Sequence, residues 1–158
     1  MNNTNLVDQL VMEKTLTTRR IINAFRAVDR VCFVPKDLRK SAYSDFPLPI
    51  GSGQTISQPT TVAFMLELLQ PRKGNKILDI GAGSGWLTAL LAEIVGQAGF
   101  VLGYEIDRMV GKFGKDNLSK TNLSNYEYRI EDVKKFLKRT SFLIELLPVQ
   151  RSLTYQMN

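Results

Sequence analysis

The 158-residue chain contains no histidine. Within this chain, that excludes His-dependent nucleophile triads, His-ligated metals and a His general base. Cysteine occurs once, at Cys32, so neither an internal disulfide nor a Cys-based zinc site can form. No apolar run approaches the roughly 20 residues of a membrane span. The opening segment MNNTNLVDQLVMEK lacks both the basic and the apolar region of a secretory signal. A soluble, cytoplasmic protein is the expectation. Acidic residues are in deficit, with a net charge of +6. The excess is concentrated: residues 134–158 carry five Lys/Arg against Glu145 alone, which leaves the rest of the chain near balance. A nucleic-acid surface would be spread over one face with interleaved aromatics. No nucleic-acid partner is therefore expected.

What is present suits one α/β domain. Hydrophobic residues make up 44% of the chain, and about two thirds of the unfolded surface is buried at this size. TNLVDQLVMEK and TTRRIINAFRAVDR have apolar residues at helical spacing, and Thr17 or Thr18 is placed to cap the second helix. Cys32 is expected in the core. KDLRKSAYSDFPLPI is irregular, and PLPIGSGQTISQP reads as a loop rich in glycine and hydroxyls. Pro59 then opens a helix over TVAFMLELLQ. Next come the strand KILDI, the turn GAGSG, the helix WLTALLAEIVG, the strand GFVLGYEI, a weaker helix that Gly111 and Gly114 are expected to break, and the strand YEYRI. That alternation predicts a parallel sheet with strands in the order 3-2-1.

LDIGAGSGW, Leu78 to Trp86, is a strand feeding a glycine turn that opens a helix. Such a turn lets a ligand approach the backbone and offers it free N–H groups. A phosphate loop would need Gly-Lys-Ser/Thr, which is absent. The dinucleotide fingerprint would need glycine at 86, where Trp86 stands; that indole is expected to pack locally. G-x-G-x-G remains, with Asp79 before it and a second acid, Glu105, ending the next strand. There an acid can accept hydrogen bonds from ribose hydroxyls. A plain alternative is a structural turn with two solvated acids. The pattern resembles the S-adenosylmethionine site of class I methyltransferases.

GQTISQP, together with VDRVCFVP, AYSDFPLPIG and VAFMLELL, resembles the protein-L-isoaspartate O-methyltransferase family from about Thr18 to Asp132. The resemblance implies a Rossmann-like sheet with a helical N-terminal preface and S-adenosylmethionine as cofactor. The implied substrates are damaged proteins whose free isoaspartyl α-carboxylate is methylated for repair. It further implies Ser57 as the active-site serine, with Thr55, Ile56 and Gln58 in the same binding segment. Asp79, Gly81, Gly83 and Gly85 would serve the methionine side, Glu105 the ribose, and Asp132 the region near the adenine. Glu131 and Val133 stand where the family has glycines. Ser57 can also be read as a helix cap before Pro59. Such chemistry needs no histidine, because a carboxylate is already ionised at pH 7.

The implied layout is a helical and loop region at 1–58, a cofactor core at 59–141 and an atypical tail at 142–158. The family's sheet continues beyond three strands, whereas FLIELLPVQRSLTYQMN does not resemble the continuation. Read one base out of frame, the tail can encode SDRIIASAAKPDLPNE, which does. From about Phe142 it is therefore expected to be a frameshifted translation, leaving one edge of the first strand open unless FLIELLPV pairs there. Two alternatives compete: a non-catalytic remnant, or a methyltransferase for another acceptor such as RNA.

Overall fold

The computed structural model describes residues 1–137 and 153–157. Helix α1 (Asn3–Met12) opens with a reciprocal cap, in which Asn2 and Asn5 each accept the other's backbone N–H. It buries Leu6, Val7 and Leu10. Helix α2 (Arg19–Ala27) turns Ile21, Ala24 and Phe25 inward. Thr18 occupies the N-cap position, but its hydroxyl does not cap α2. It donates instead to Glu67 Oε2 at 2.6 Å, while Glu67 Oε1 accepts the N–H groups of Thr17 and Thr18, each at 2.8 Å. Glu67 belongs to α3 (Pro59–Leu69). A carboxylate from another helix thus accepts the main-chain N–H groups at and just before the N-cap position of α2, and it ties α2 to α3. Two short 3-10 turns follow α2, at Arg30–Phe33 and Lys36–Ser41. Cys32, expected in the core, is exposed on the first of them.

The stretch expected as a loop is a β-hairpin. Strand β1 (Leu48–Gly51) pairs antiparallel with β2 (Gln54–Ile56). Its turn runs through Gly51, Ser52 and Gly53, all with positive φ (106°, 48° and 68°). Glycine adopts that conformation without a steric penalty, which suits a tight hairpin turn. Leu48, Ile50 and Ile56 point into the core. Pro59 is in the first turn of α3, as expected.

The main sheet carries β3 (Lys76–Ile80), β4 (Phe100–Glu105) and β5 (Tyr126–Ile130) as parallel neighbours, in the order β5-β4-β3. This is the expected 3-2-1 arrangement. The crossovers are α4 (Trp86–Val95) and α5 (Arg108–Leu118), and right-handed connections running the same way place both on one face. Ile77, Val101 and Tyr128 join the large core on that face, while Leu78, Leu102 and Tyr104 form a smaller cluster on the other. A short α6 (Val133–Leu137) follows β5. Strand β6 (Leu153–Met157) runs antiparallel along the far edge of β3, from Lys76 opposite Met157 to Ile80 opposite Leu153. The edge expected to be open is therefore paired, by Leu153–Met157. The FLIELLPV run lies outside the described residues.

Helix α5 is continuous, contrary to the break expected at its glycines. A Cβ built on Gly114 would lie 2.2 Å from the Gly83 carbonyl oxygen and 2.5 Å from the Tyr128 hydroxyl. Gly114 is there for close approach rather than as a helix breaker. No described helix is long and apolar enough to cross a membrane.

Candidate active site

The glycine loop begins where β3 ends. The N–H groups of Gly81 and Ala82 both donate to the Tyr104 carbonyl, at 2.8 and 2.9 Å, which bends the chain over the end of β4. Gly81, Gly83 and Gly85 all have positive φ. Two neighbours hold the loop from behind: Tyr128 donates its hydroxyl to the Gly83 carbonyl at 2.7 Å, and Asn117 donates its amide to the Ser84 carbonyl at 3.1 Å. Gly85 is buried at the N-cap of α4.

Both acids of the sequence reading meet this loop. Glu105 is 6% exposed. Its Oε2 accepts the Gly83 N–H at 3.0 Å and its Oε1 the Asp107 N–H at 2.9 Å. A carboxylate has about four lone-pair sites, so two main-chain donors orient Glu105 and leave acceptor capacity for hydroxyls. Asp79 is fully buried. Thr88 donates to its Oδ2 at 2.6 Å, and Oδ1 has no hydrogen-bond partner among the described residues. Burial pushes its pKa up to about 6; the Thr88 hydrogen bond opposes the shift and the nearby Glu105 charge adds to it. Neither acid is a solvated strand end.

Across a narrow cleft stands the GQTISQ segment. Thr55, Ile56 and Ser57 line one wall, and Gly81, Gly83 and Ser84 line the other. Ile50 extends the hairpin's reach: its Cδ1 would sit 3.6 Å from a Cβ on Gly83. Asp107 caps α5 by accepting the N–H groups of Met109 and Val110, both at 2.9 Å, and it also accepts the Ser52 hydroxyl at the hairpin turn.

Some expected site residues lie elsewhere. Gln58, not Ser57, is the N-cap residue of α3, so the capping alternative for Ser57 does not hold. The Gln58 amide turns away to Asp45, at 3.0 Å. Asp132 lies two residues beyond β5, and its side chain accepts the Lys134 N–H at 2.9 Å at the start of α6. It is at the same end of the sheet as Glu105 but does not line the cleft.

The structure adds residues that the sequence does not reveal. Asp45 does the capping of α3, accepting from the Thr60 N–H at 2.8 Å and the Thr60 hydroxyl at 2.6 Å. The bonds to Thr60 and Gln58 and the charge of Arg30 hold its carboxyl below the usual range despite burial. Arg30 is fully buried, which lowers its pKa to about 10 and leaves it a cation at neutral pH. Its guanidinium donates to the carbonyls of Ala42 (2.6 Å), Phe46 (3.2 Å) and Ser57 (3.1 Å), and lies 5.3 Å from the centre of the Trp86 ring. Trp86 packs locally, edge-on to Phe25 with centroids 5.6 Å apart. Ile106, next to Glu105 in the chain, and Met109, in the first turn of α5, are exposed apolar residues (69% and 63%).

Comparison with known proteins accounts for this combination. The sequence model of the protein-L-isoaspartate(D-aspartate) O-methyltransferase family matches residues 1–140. A protein-L-isoaspartate O-methyltransferase of Aeropyrum pernix is 47% identical over 116 residues, which is 73% of this chain and 45% of that protein. One from Methanopyrus kandleri is 46% identical over 121 residues, 77% of this chain and 54% of that protein. The chain thus spans about half the length of these curated relatives. A Plasmodium falciparum protein assigned to the same activity, solved with S-adenosyl-L-homocysteine, superposes with a TM-score of 0.78. It is 23% identical, and the match covers 88% of this chain and 67% of that one, which supports the shared fold. A second solved protein-L-isoaspartate O-methyltransferase gives 0.74 at 26% identity, over 83% of this chain and 42% of its own. The chain belongs to the protein-L-isoaspartate(D-aspartate) O-methyltransferase family.

Proposed function

We propose that the chain carries the cofactor half and the acceptor serine of an isoaspartyl carboxyl methyltransferase. The observation that carries this reading is the cleft with Thr55, Ile56 and Ser57 on one wall and the glycine loop on the other. The residues present fit S-adenosylmethionine. Glu105, oriented by two N–H groups, suits the ribose hydroxyls. The unpartnered Oδ1 of Asp79 suits the methionine ammonium. The loop at Gly81 and Gly83 offers the amino-acid chain a close approach to the backbone. Gly85 serves the packing of that loop against Leu118 and Gly114 of α5, and Asp132, at the same end of the sheet as Glu105, suits the adenine side.

When bound, the cofactor supplies an electrophilic methyl group: the acceptor carboxylate oxygen forms the new C–O bond as the C–S bond breaks, leaving S-adenosylhomocysteine. The protein has to align acceptor and donor and keep water out. Such positioning is worth roughly 7–11 kcal/mol in favourable cases. The Ser57 hydroxyl donates a hydrogen bond that orients the acceptor carboxylate; it does not act as a nucleophile. Thr55 and Ile56 shape the acceptor wall, and Gln58, braced by Asp45, fixes the segment's exit into α3. No base is needed, since the acceptor is already an anion at pH 7. The substrates are proteins and peptides containing isoaspartate.

The test offers labelled S-adenosylmethionine and the 158-residue chain three acceptors: an isoaspartyl peptide, its aspartyl isomer and RNA. Label only in the isoaspartyl peptide, released as methanol at alkaline pH as a methyl ester requires, supports the reading. Label in RNA, or in both peptides equally, overturns it.

A further inference from the structure

Arg30 is a fully buried cation whose hydrogen bonds, among the described residues, run only to main-chain carbonyls. Taking a charge out of water is expensive unless good geometry offsets it, so the shape of its surroundings is informative. Nη1 donates to Ala42 at 2.6 Å and contacts the Ser44 carbonyl at 3.4 Å; both residues lie before the hairpin. Nη2 bridges Phe46, also before the hairpin, and Ser57, just after it, at 3.2 and 3.1 Å. One planar fork therefore clamps the entry and the exit of β1–β2. The guanidinium also lies 5.3 Å from the centre of the Trp86 ring, and Trp86 is the first residue of the helix that leaves the glycine loop. Asp45 supplies a favourable charge nearby and braces Gln58 and Thr60 from the other side.

We propose that Arg30 is a positioning residue for methyl transfer: its guanidinium fixes the Ser57 segment relative to the glycine loop. This rests on the proposed function, because the segment and the loop matter together only if one holds the acceptor and the other the donor. Lysine cannot replace the fork, having a compact ammonium without the planar donor set or the stacking face.

The experiment compares wild type with Arg30→Lys and, as a second variant, Arg30→Gln. Amide hydrogen exchange of the unliganded proteins is read over residues 54–58 and over α4, together with methyl transfer to an isoaspartyl peptide. In Arg30→Lys, exchange at 54–58 should rise about tenfold or more while α4 and β3–β4 stay protected. The kcat should fall about tenfold or more, with the KM for S-adenosylmethionine within about threefold. Unchanged exchange at 54–58 overturns the proposal. So does loss of protection throughout the chain in both variants, which would make Arg30 a folding residue only. If wild type transfers no methyl group, the functional reading fails and takes the methyl-transfer role of Arg30 with it, whereas unchanged exchange at 54–58 in an active wild type and its variants overturns the role of Arg30 alone.

Discussion

Replacing Asp79 by asparagine should remove most of one pH dependence of stability. In the folded chain the Asp79 pKa is raised from 3.8 to about 6, chiefly by burial. The folded state therefore holds this proton over a range in which the unfolded chain has released it. Stability falls as pH rises through that window, and the full penalty is present above about pH 6. The displacement corresponds to about 3 kcal/mol. An asparagine at this position would keep an acceptor for the Thr88 hydroxyl but carry no charge. Its own packing and hydrogen-bonding costs do not depend on pH, so they cancel between two pH values. The stability of Asp79→Asn relative to wild type should accordingly improve by about 2.5 kcal/mol between pH 4 and pH 8, the rest of the displacement lying below pH 4. Urea unfolding followed through the emission of Trp86, the single tryptophan, measures this difference. A constant gap between the two proteins, within about 0.5 kcal/mol across that range, would refute the assignment of the shift to Asp79.

Other outcomes follow from the same geometry. Glu105→Ala strands the N–H groups of Gly83 and Asp107 and removes the ribose acceptor; the affinity for S-adenosylhomocysteine by calorimetry should drop about tenfold or more. Gly114→Ala drives a methyl group into the Gly83 carbonyl and the Tyr128 hydroxyl, and should cost about 1–3 kcal/mol by urea unfolding, with the glycine loop displaced. Ser57→Ala should lower kcat for an isoaspartyl peptide while leaving S-adenosylhomocysteine affinity unchanged, since the Ser57 contact to Arg30 is made by its carbonyl. Glu67 accepts four hydrogen bonds from Thr17 and Thr18, and they hold its carboxyl below the usual range. Its contribution is complete above pH 4.5 and is lost as pH falls further. Glu67→Gln should therefore lower the Tm at pH 7 and do so less at pH 3.

Legibility from sequence follows the range of the forces involved. The run from KILDI to YEYRI is readable because each strand and helix there carries its own periodic pattern, and the glycine turn together with the strand-end Glu105 marks one end of the sheet. The hairpin escapes a sequence reading because its strands are three and four residues long and its register is set by a turn with three consecutive positive φ angles. Gly111 and Gly114 look like helix breakers because the Ile130 side chain and the Gly83 carbonyl they must clear are far away in sequence. Arg30 is invisible because an arginine is usually exposed, and only the fold brings Ala42, Phe46, Ser57 and Trp86 around it. Cys32 is misplaced for the converse reason: a residue type that is usually buried sits on the outer side of a 3-10 turn whose Arg30 and Phe33 point inward.

Whether residues 76–107 hold the cofactor without the remainder of a full-length relative is tested most directly by calorimetric titration of S-adenosylhomocysteine into the 158-residue chain, with Glu105→Ala beside it. The expected result is one saturable site per chain, weakened about tenfold or more by the substitution. An absence of binding heat from a folded wild-type chain at millimolar ligand, or equal affinity in both proteins, would contradict a cofactor cradle built from Asp79, the glycine loop and Glu105.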